Sequence, residues 1–96
     1  MSKYDIDDAR KAKAARAHAL ESLEKGEVKP AEILREPPVA LKKTDIWDIL
    51  LACHGLGREE VRVILERASI WPHTQLGLLT KRERLDIIKE LPERVR

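Results

Sequence analysis

Phenylalanine is absent from this chain, and two Trp and one Tyr are its whole aromatic complement. The core must therefore be aliphatic and modest, and a single-strand nucleic-acid binder built on aromatic stacking is disfavoured. One cysteine rules out an internal disulfide. Cys53 with His18, His54 and His73 also lacks the paired spacing of a zinc site, so no metal or other cofactor is expected. The longest apolar run, Ile49 to Cys53, is far too short to span a bilayer, and no charged start leads into an apolar stretch of signal-peptide length. The expectation is a soluble, cytoplasmic protein with no membrane partner. Catalytic signatures are missing as well: there is no Walker loop, no nucleophile-base constellation and no pair of carboxylates in an evident cleft. No enzyme activity is expected.

What is present is charge and aliphatic side chains on a short chain. With 96 residues, a single core with a peripheral arm is the economical reading. We divide the chain into a basic N-terminal helical arm, 1–28, and a helical domain, 29–96. Apolar residues make up 43%, much of it alanine, so stability should be limited. The formal net charge of +2 does not by itself name a nucleic-acid binder. Its distribution says more. Ala9 to Leu20 carries Arg10, Lys11, Lys13 and Arg16 and no acid; Ala31 to Glu60 holds four basic and six acidic residues; the final 36 residues hold eight basic and five acidic. Positive charge is thus placed on the N-terminal arm and a C-terminal face.

Asp5 to Glu24 reads as a helix, with Asp7 and Asp8 near its start, alanine and long basic residues in its centre, and Gly26 suited to its C-cap. No apolar side chain larger than alanine stands between Ile6 and Leu20, so this helix is expected to be solvent-facing and partly frayed until something binds it. Pro30 opens a short second helix ending near Arg35. Pro37-Pro38 stops it, and Val39 to Lys43 reads as an extended connector. Thr44 is placed to cap a third helix that buries Ile46, Ile49, Leu50 and Cys53, with Trp47 and Leu51 adding to that side. A fourth helix, Arg58 to about Ala68, presents Val61, Ile64, Leu65 and Ala68 on one face. After an irregular stretch, Thr80 and Glu83 form a capping box for a fifth helix carrying Leu85, Ile88 and Leu91, ended by Pro92. No run alternates as a strand does, so the fold class is all-α.

Between the third and fourth helices stands His54-Gly55-Leu56-Gly57-Arg58, a tight Gly-x-Gly turn opening into a helix. Glycines let backbone approach a ligand, and the first amides of a helix lack intrahelical partners and carry the positive end of its dipole, so such turns suit phosphate. An ordinary helix-helix corner explains the same glycines. Arg62, one turn on, could reach the same strand or could pair with Glu59 or Glu66. Glu59 and Glu60 complement the dipole but compete with phosphate for it. The arm cations spread over a broad arc of their helix, which suits a helix laid across a duplex.

The order helix, Gly-hydrophobic-Gly, helix, two-turn connection, helix runs through Leu50-Leu51-Ala52-Cys53-His54-Gly55-Leu56-Gly57, Val61, Ile64-Leu65, Ile70 and Leu76 to Ile88. It resembles the helix-two-turns-helix module of ribosomal protein S13, of the formamidopyrimidine-DNA glycosylases and of the actinobacterial integration host factors. The last resemblance covers nearly the whole chain: a basic alanine-rich first helix, a short helix, a Lys-rich connector and the module. It implies a small all-α, nucleoid-associated protein, monomeric in solution, that grips and bends double-stranded DNA with little sequence preference and could assist recombination. The candidate DNA-binding residues are Arg10, Lys11, Lys13, Arg16, Lys42, Lys43, His54, Gly55, Leu56, Gly57, Arg58 and Arg62. The chain departs from the family in three places. His54 replaces the family's proline, Glu59 and Glu60 follow Arg58 where a basic residue is common, and Thr74, Gln75 and Gly77 stand in the connection's arginine cluster. These changes suit a divergent copy, such as one carried by a phage, with a weakened grip. The glycosylases also need an N-terminal proline and a zinc finger, which this chain does not show. Two rival readings are a module that binds a host protein, or its own DNA-binding homologue, and an S13-like RNA binder.

Overall fold

The computed structural model describes residues 3–96, with side chains from Arg10 onward. Asp7 and Asp8, read above as helix-start acids, and Ile6 lie outside the described side chains. Among the described residues the chain forms five α-helices: α1 (Lys3–Glu24), α2 (Pro30–Arg35), α3 (Ile46–Ala52), α4 (Arg58–Arg67) and α5 (Lys81–Glu90). Single 3₁₀ turns lie at Val39–Leu41, Leu76–Leu78 and Glu93–Val95. The fold is all-α, as the patterning predicts; among the described residues the nearest approach to a sheet is one isolated bridge between Asp45 and Gln75.

α1 ends where Gly26 takes φ +74°, with the Glu27 amide returning to the Ser22 carbonyl at 3.0 Å. Its anchoring lies in its last two turns: Leu23 is fully buried, and Ala19 and Leu20 pack half-buried against the same core. The middle of the helix has only alanine to offer where it crosses the Val39–Leu41 turn, so the large apolar anchors of α1 lie at its C-terminal end. α4 buries Val61, Ile64 and Leu65 and ends in a Schellman-type turn, with the Ile70 amide on the Leu65 carbonyl at 2.9 Å. The left-handed position there is filled by Ser69 at φ +59°, where glycine is usual. The capping box of α5 forms as read: Glu83 N–H donates to Thr80 Oγ1 at 3.1 Å, and Thr80 N–H to Glu83 Oε1 at 2.9 Å.

Three expectations are corrected. The stretch Val39 to Lys43 is not an extended connector: Val39–Leu41 is a 3₁₀ turn and Lys42-Lys43 continue the turn, because rolling the chain there drops Leu41 into the core with no exposed surface. Thr44 does not cap α3. The N-cap is Asp45, whose side chain makes no capping bond. The orphan amides of Ile46 and Trp47 donate instead to the carbonyls of Thr74, at 2.9 Å, and Pro72, at 3.0 Å. The two-turn connection thus caps α3, and the buried Thr44 hydroxyl is left without a partner. On α5 the inward positions are Ile87, Ile88 and Leu91, while Leu85 is 41% exposed. Helix α2 packs against α5, and Arg84 seals that contact by donating to the Leu34 carbonyl at 2.6 Å and the Arg35 carbonyl at 3.2 Å.

Candidate nucleic-acid interface

The corner between α3 and α4 is held from both sides. On one side the His54 amide donates to the Leu23 carbonyl at 3.0 Å, tying the turn to the end of α1. On the other, Gly55 takes φ +89°, and a Cβ placed there would stand 3.1 Å from Val95 Cγ1. Gly55 is therefore required for its backbone shape and for the close approach of the C-terminal 3₁₀ turn. The Leu56 side chain points inward and is buried, so the surface offered by this candidate residue is its backbone. Gly57 is the N-cap of α4 with extended angles, φ −89° and ψ 164°, which any residue adopts. Helix geometry leaves the amides of Arg58, Glu59 and Glu60 without carbonyl partners in the preceding turn.

Side chains around this corner divide into free and committed. Arg58 and His54 are exposed, and among the described residues neither makes an ion pair. Arg62 is committed: its Nε donates to Glu59 Oε1 at 3.0 Å and its Nη1 to Glu66 Oε2 at 3.1 Å. The Arg62 hydrogen bond and charge hold the Glu59 carboxyl below the usual carboxylate range, and Glu59 first, then Glu66, push the Arg62 guanidinium up. Glu60 turns back on the corner. It accepts from the Gly57 amide at 3.4 Å and from Arg94 Nη2, which also donates to the Gly55 carbonyl at 3.1 Å. Arg94 and the Gly57 amide lower the Glu60 carboxyl's affinity for a proton. Cys53 lies beneath the turn, its thiol pushed up to about 12 by burial.

A second group of cations gathers where α1 crosses the Val39–Leu41 turn. Arg16, Lys42 and Lys43 line one cleft of about 500 Å³ floored by Ala12, Ala15 and Ala40. Arg16 and Lys43 also edge a neighbouring cleft of about 580 Å³, which carries Glu24, Asp45 and Asp48. The backbone of Lys42 is fixed by Gly77, whose amide donates to its carbonyl at 2.8 Å; a Cβ on Gly77 would stand 3.0 Å from that oxygen. A side chain there would force Lys42 to give by a few tenths of an ångström, so the glycine suits a local close approach. Arg10, Lys11 and Lys13 are exposed further out along α1. Arg16 and Leu23 are seven residues apart, so the two cationic groups are separated by about 10 Å along α1 at ~1.5 Å per residue.

The C-terminal basic residues do different work from the one read in the sequence. Arg84 closes the end of α2, Arg94 braces the glycine corner, and Arg96 donates to the Leu91 carbonyl at 2.9 Å and the Lys89 carbonyl at 2.8 Å at the end of α5. Arg67 faces Glu90 at 3.7 Å. No sequence spacing announces these partners, which stand 39 residues away for Arg94 and Gly55 and 50 for Arg84 and Leu34. Among the described residues no three His, Cys, Asp or Glu side chains are grouped to hold a metal ion, and no helix is long and apolar enough to cross a membrane.

No protein-family model matches the chain, and no curated protein matches it. A solved structure does: that of sIHF, an integration host factor, bound to an 8-bp palindromic DNA. The two superpose with a TM-score of 0.76 over 90% of this chain and 99% of that one, at 18% identity. At that identity the likeness is one of fold, and it spans nine-tenths of this chain.

Proposed function

We propose that the chain is a non-enzymatic protein that binds double-stranded DNA with little regard for sequence, gripping the phosphate backbone through the Gly55–Arg58 corner. The observation that carries this reading is the likeness, over nine-tenths of the chain, to a fold solved on duplex DNA. The amides at the start of α4 and the Arg58 guanidinium seat one phosphate, and Lys42, Lys43 and Arg16 meet a second stretch of backbone. Arg10, Lys11 and Lys13 extend the track along α1, and His54 stands at the turn's outer edge. Arg62 joins only if it leaves Glu59 and Glu66. Backbone contacts of this kind carry no sequence information and suit a monomeric nucleoid protein that bends DNA and assists recombination.

The test is titration of a random duplex at several salt concentrations. With about five phosphates neutralised, the log of affinity falls against log salt with a slope of roughly −4 to −5. A flat response, or no binding at low salt, overturns the reading. Arg58→Glu weakens binding to all sequences alike; loss confined to one sequence argues against backbone recognition. A second reading, a fold of this kind turned to a protein partner, draws on Glu59 and Glu60 beside the corner and on the commitment of Arg62 and Arg94 to them. It gains if low-salt DNA binding is absent.

A further inference from the structure

One edge of the glycine corner, next to the α4 amides and Arg58, already holds an anion supplied by the chain itself. One Glu60 oxygen sits on the Gly57 amide at 3.4 Å, and the other accepts from Arg94 Nη2. Arg94 is in turn fixed by the Gly55 carbonyl at 3.1 Å and by the 3₁₀ turn it belongs to, whose Val95 is buried against Gly55. Glu60 and Arg94 are about half exposed, at 42% and 56%, so the pair opens to solvent and can exchange partners. The Gly57 amide is fixed in the backbone and Arg94 Nη2 is tethered to the Gly55 carbonyl, whereas the Glu60 carboxylate hangs from a flexible side chain with no other tether. The positions of the two donors therefore persist when Glu60 swings away.

We propose that Glu60 is an intramolecular occupant of the edge of the phosphate seat, at the Gly57 amide, and that Arg94 is a phosphate ligand held in reserve by it. This rests on the reading of the Gly55–Arg58 corner as a phosphate seat. An arriving backbone phosphate displaces the carboxylate, takes over the Gly57 amide and the Arg94 guanidinium, and leaves Glu60 to solvent. The exchange trades one charge-assisted contact for another, so it lowers net affinity without closing the site. It also gives Arg94 two roles in succession, as brace of the empty corner and as contact to the filled one.

Salt-resolved titration of a random duplex with the full chain separates the possibilities. Glu60→Gln keeps the shape of the side chain and removes its charge, and binding should tighten by about tenfold. Glu93→Gln, an equal charge change on the adjoining 3₁₀ turn, should tighten it far less. If both variants gain equally, the effect is general charge removal and the proposal fails. In the Glu60→Gln background, adding Arg94→Gln should weaken binding and make the salt slope shallower by about 0.9, the share of one phosphate; an unchanged slope overturns Arg94 as a ligand. Thermal melts of each variant show that the corner is folded, and Arg94→Lys, which keeps the charge, should restore the slope. Failure of the underlying reading looks different: neither the wild type nor Glu60→Gln then binds duplex at low salt, or Arg58→Glu has no effect on either.

Discussion

The two glycines of the corner have separable jobs, and alanine at each should show it. At Gly55 the backbone has φ +89°, where an L residue costs about 1–2 kcal/mol. Its new Cβ would stand 3.1 Å from Val95 Cγ1, so the C-terminal turn must also give by a few tenths of an ångström. A total near 2 kcal/mol, in a domain where each kcal/mol moves the midpoint by about 4–8 °C, lowers Tm by roughly 8–16 °C. Trimming the neighbour in Gly55→Ala/Val95→Ala removes the crowding and leaves the backbone strain, so Gly55→Ala should cost less when made in the Val95→Ala background than in the wild type.

At Gly57 the angles are ordinary, and a Cβ would meet only Glu60 Oε1, at 3.9 Å. Gly57→Ala should shift Tm by no more than the loss of a good N-cap allows, under ~1 kcal/mol. Its lack of a side chain matters only if something comes against that backbone. Duplex affinity, read by fluorescence anisotropy at fixed salt, should fall about tenfold, or ~1.4 kcal/mol, because a methyl group then stands before the α4 amides. A folded Gly57→Ala that binds like the wild type would show that no phosphate approaches this backbone. A Gly55→Ala that melts within about 2 °C of the wild type would refute the left-handed geometry.

Arg84→Met keeps the aliphatic stem but removes the donor to the Leu34 and Arg35 carbonyls; the lost charged hydrogen bonds should cost about 1.5–3 kcal/mol in urea unfolding while DNA affinity stays as it was. Ser69→Gly should raise stability by a few tenths of a kcal/mol, the relief of left-handed strain of ~1–2 kcal/mol outweighing glycine's entropic cost of ~0.5–1 kcal/mol. Cys53, 3% exposed and with its thiol pushed up to about 12, should resist alkylation at pH 8 in buffer and react promptly in urea; fast reaction of the native protein would contradict its burial. Saturating duplex should raise helix content by circular dichroism as it holds the thinly anchored, alanine-rich part of α1 against fraying, and unchanged ellipticity with bound DNA rejects that effect.

The helices, the capping box at Thr80 and Glu83 and most of the core were legible because each is a local pattern: a period, a cap, a proline. Leu41, Leu56 and Val95 escaped because each is a single apolar residue in a turn, with no period to announce it, and the contact that buries it comes from a distant segment. Leu85 misled for the opposite reason. It keeps helical spacing with Ile88, but packing against α2 and α4 selects a buried face of α5 that runs through Ile87 and leaves Leu85 out. Thr44 failed as a cap because carbonyls from residues 72 and 74 reach the α3 amides first. At the candidate site the glycines and cations could be read from spacing, and the i,i+3 and i,i+4 partners of Arg62 were available as an alternative. The Arg94–Glu60 contact spans 34 residues and had no local trace.

That contact changes how the chain's charge should be counted. A net +2 spread over 36 charged side chains says little about a binding face, because much of the positive charge is spent inside the fold. Of the eight basic residues after Glu60, five have partners: Arg62 and Arg67 on carboxylates, Arg84 and Arg96 on helix-end carbonyls, and Arg94 on the Glu60 carboxylate and the Gly55 carbonyl. The C-terminal basic excess is largely a set of internal braces. The cations left facing solvent without an ion pair among the described residues include Arg10, Lys11, Lys13, Lys42, Lys43 and Arg58. Exposed single charges gain little from folding, whereas a cluster of them raises the local potential that draws a polyanion. Two such clusters, one at the α1 crossing and one at the glycine corner, give the chain a polarity that its total charge conceals, and each Glu beside Arg58 subtracts from the second before any partner arrives.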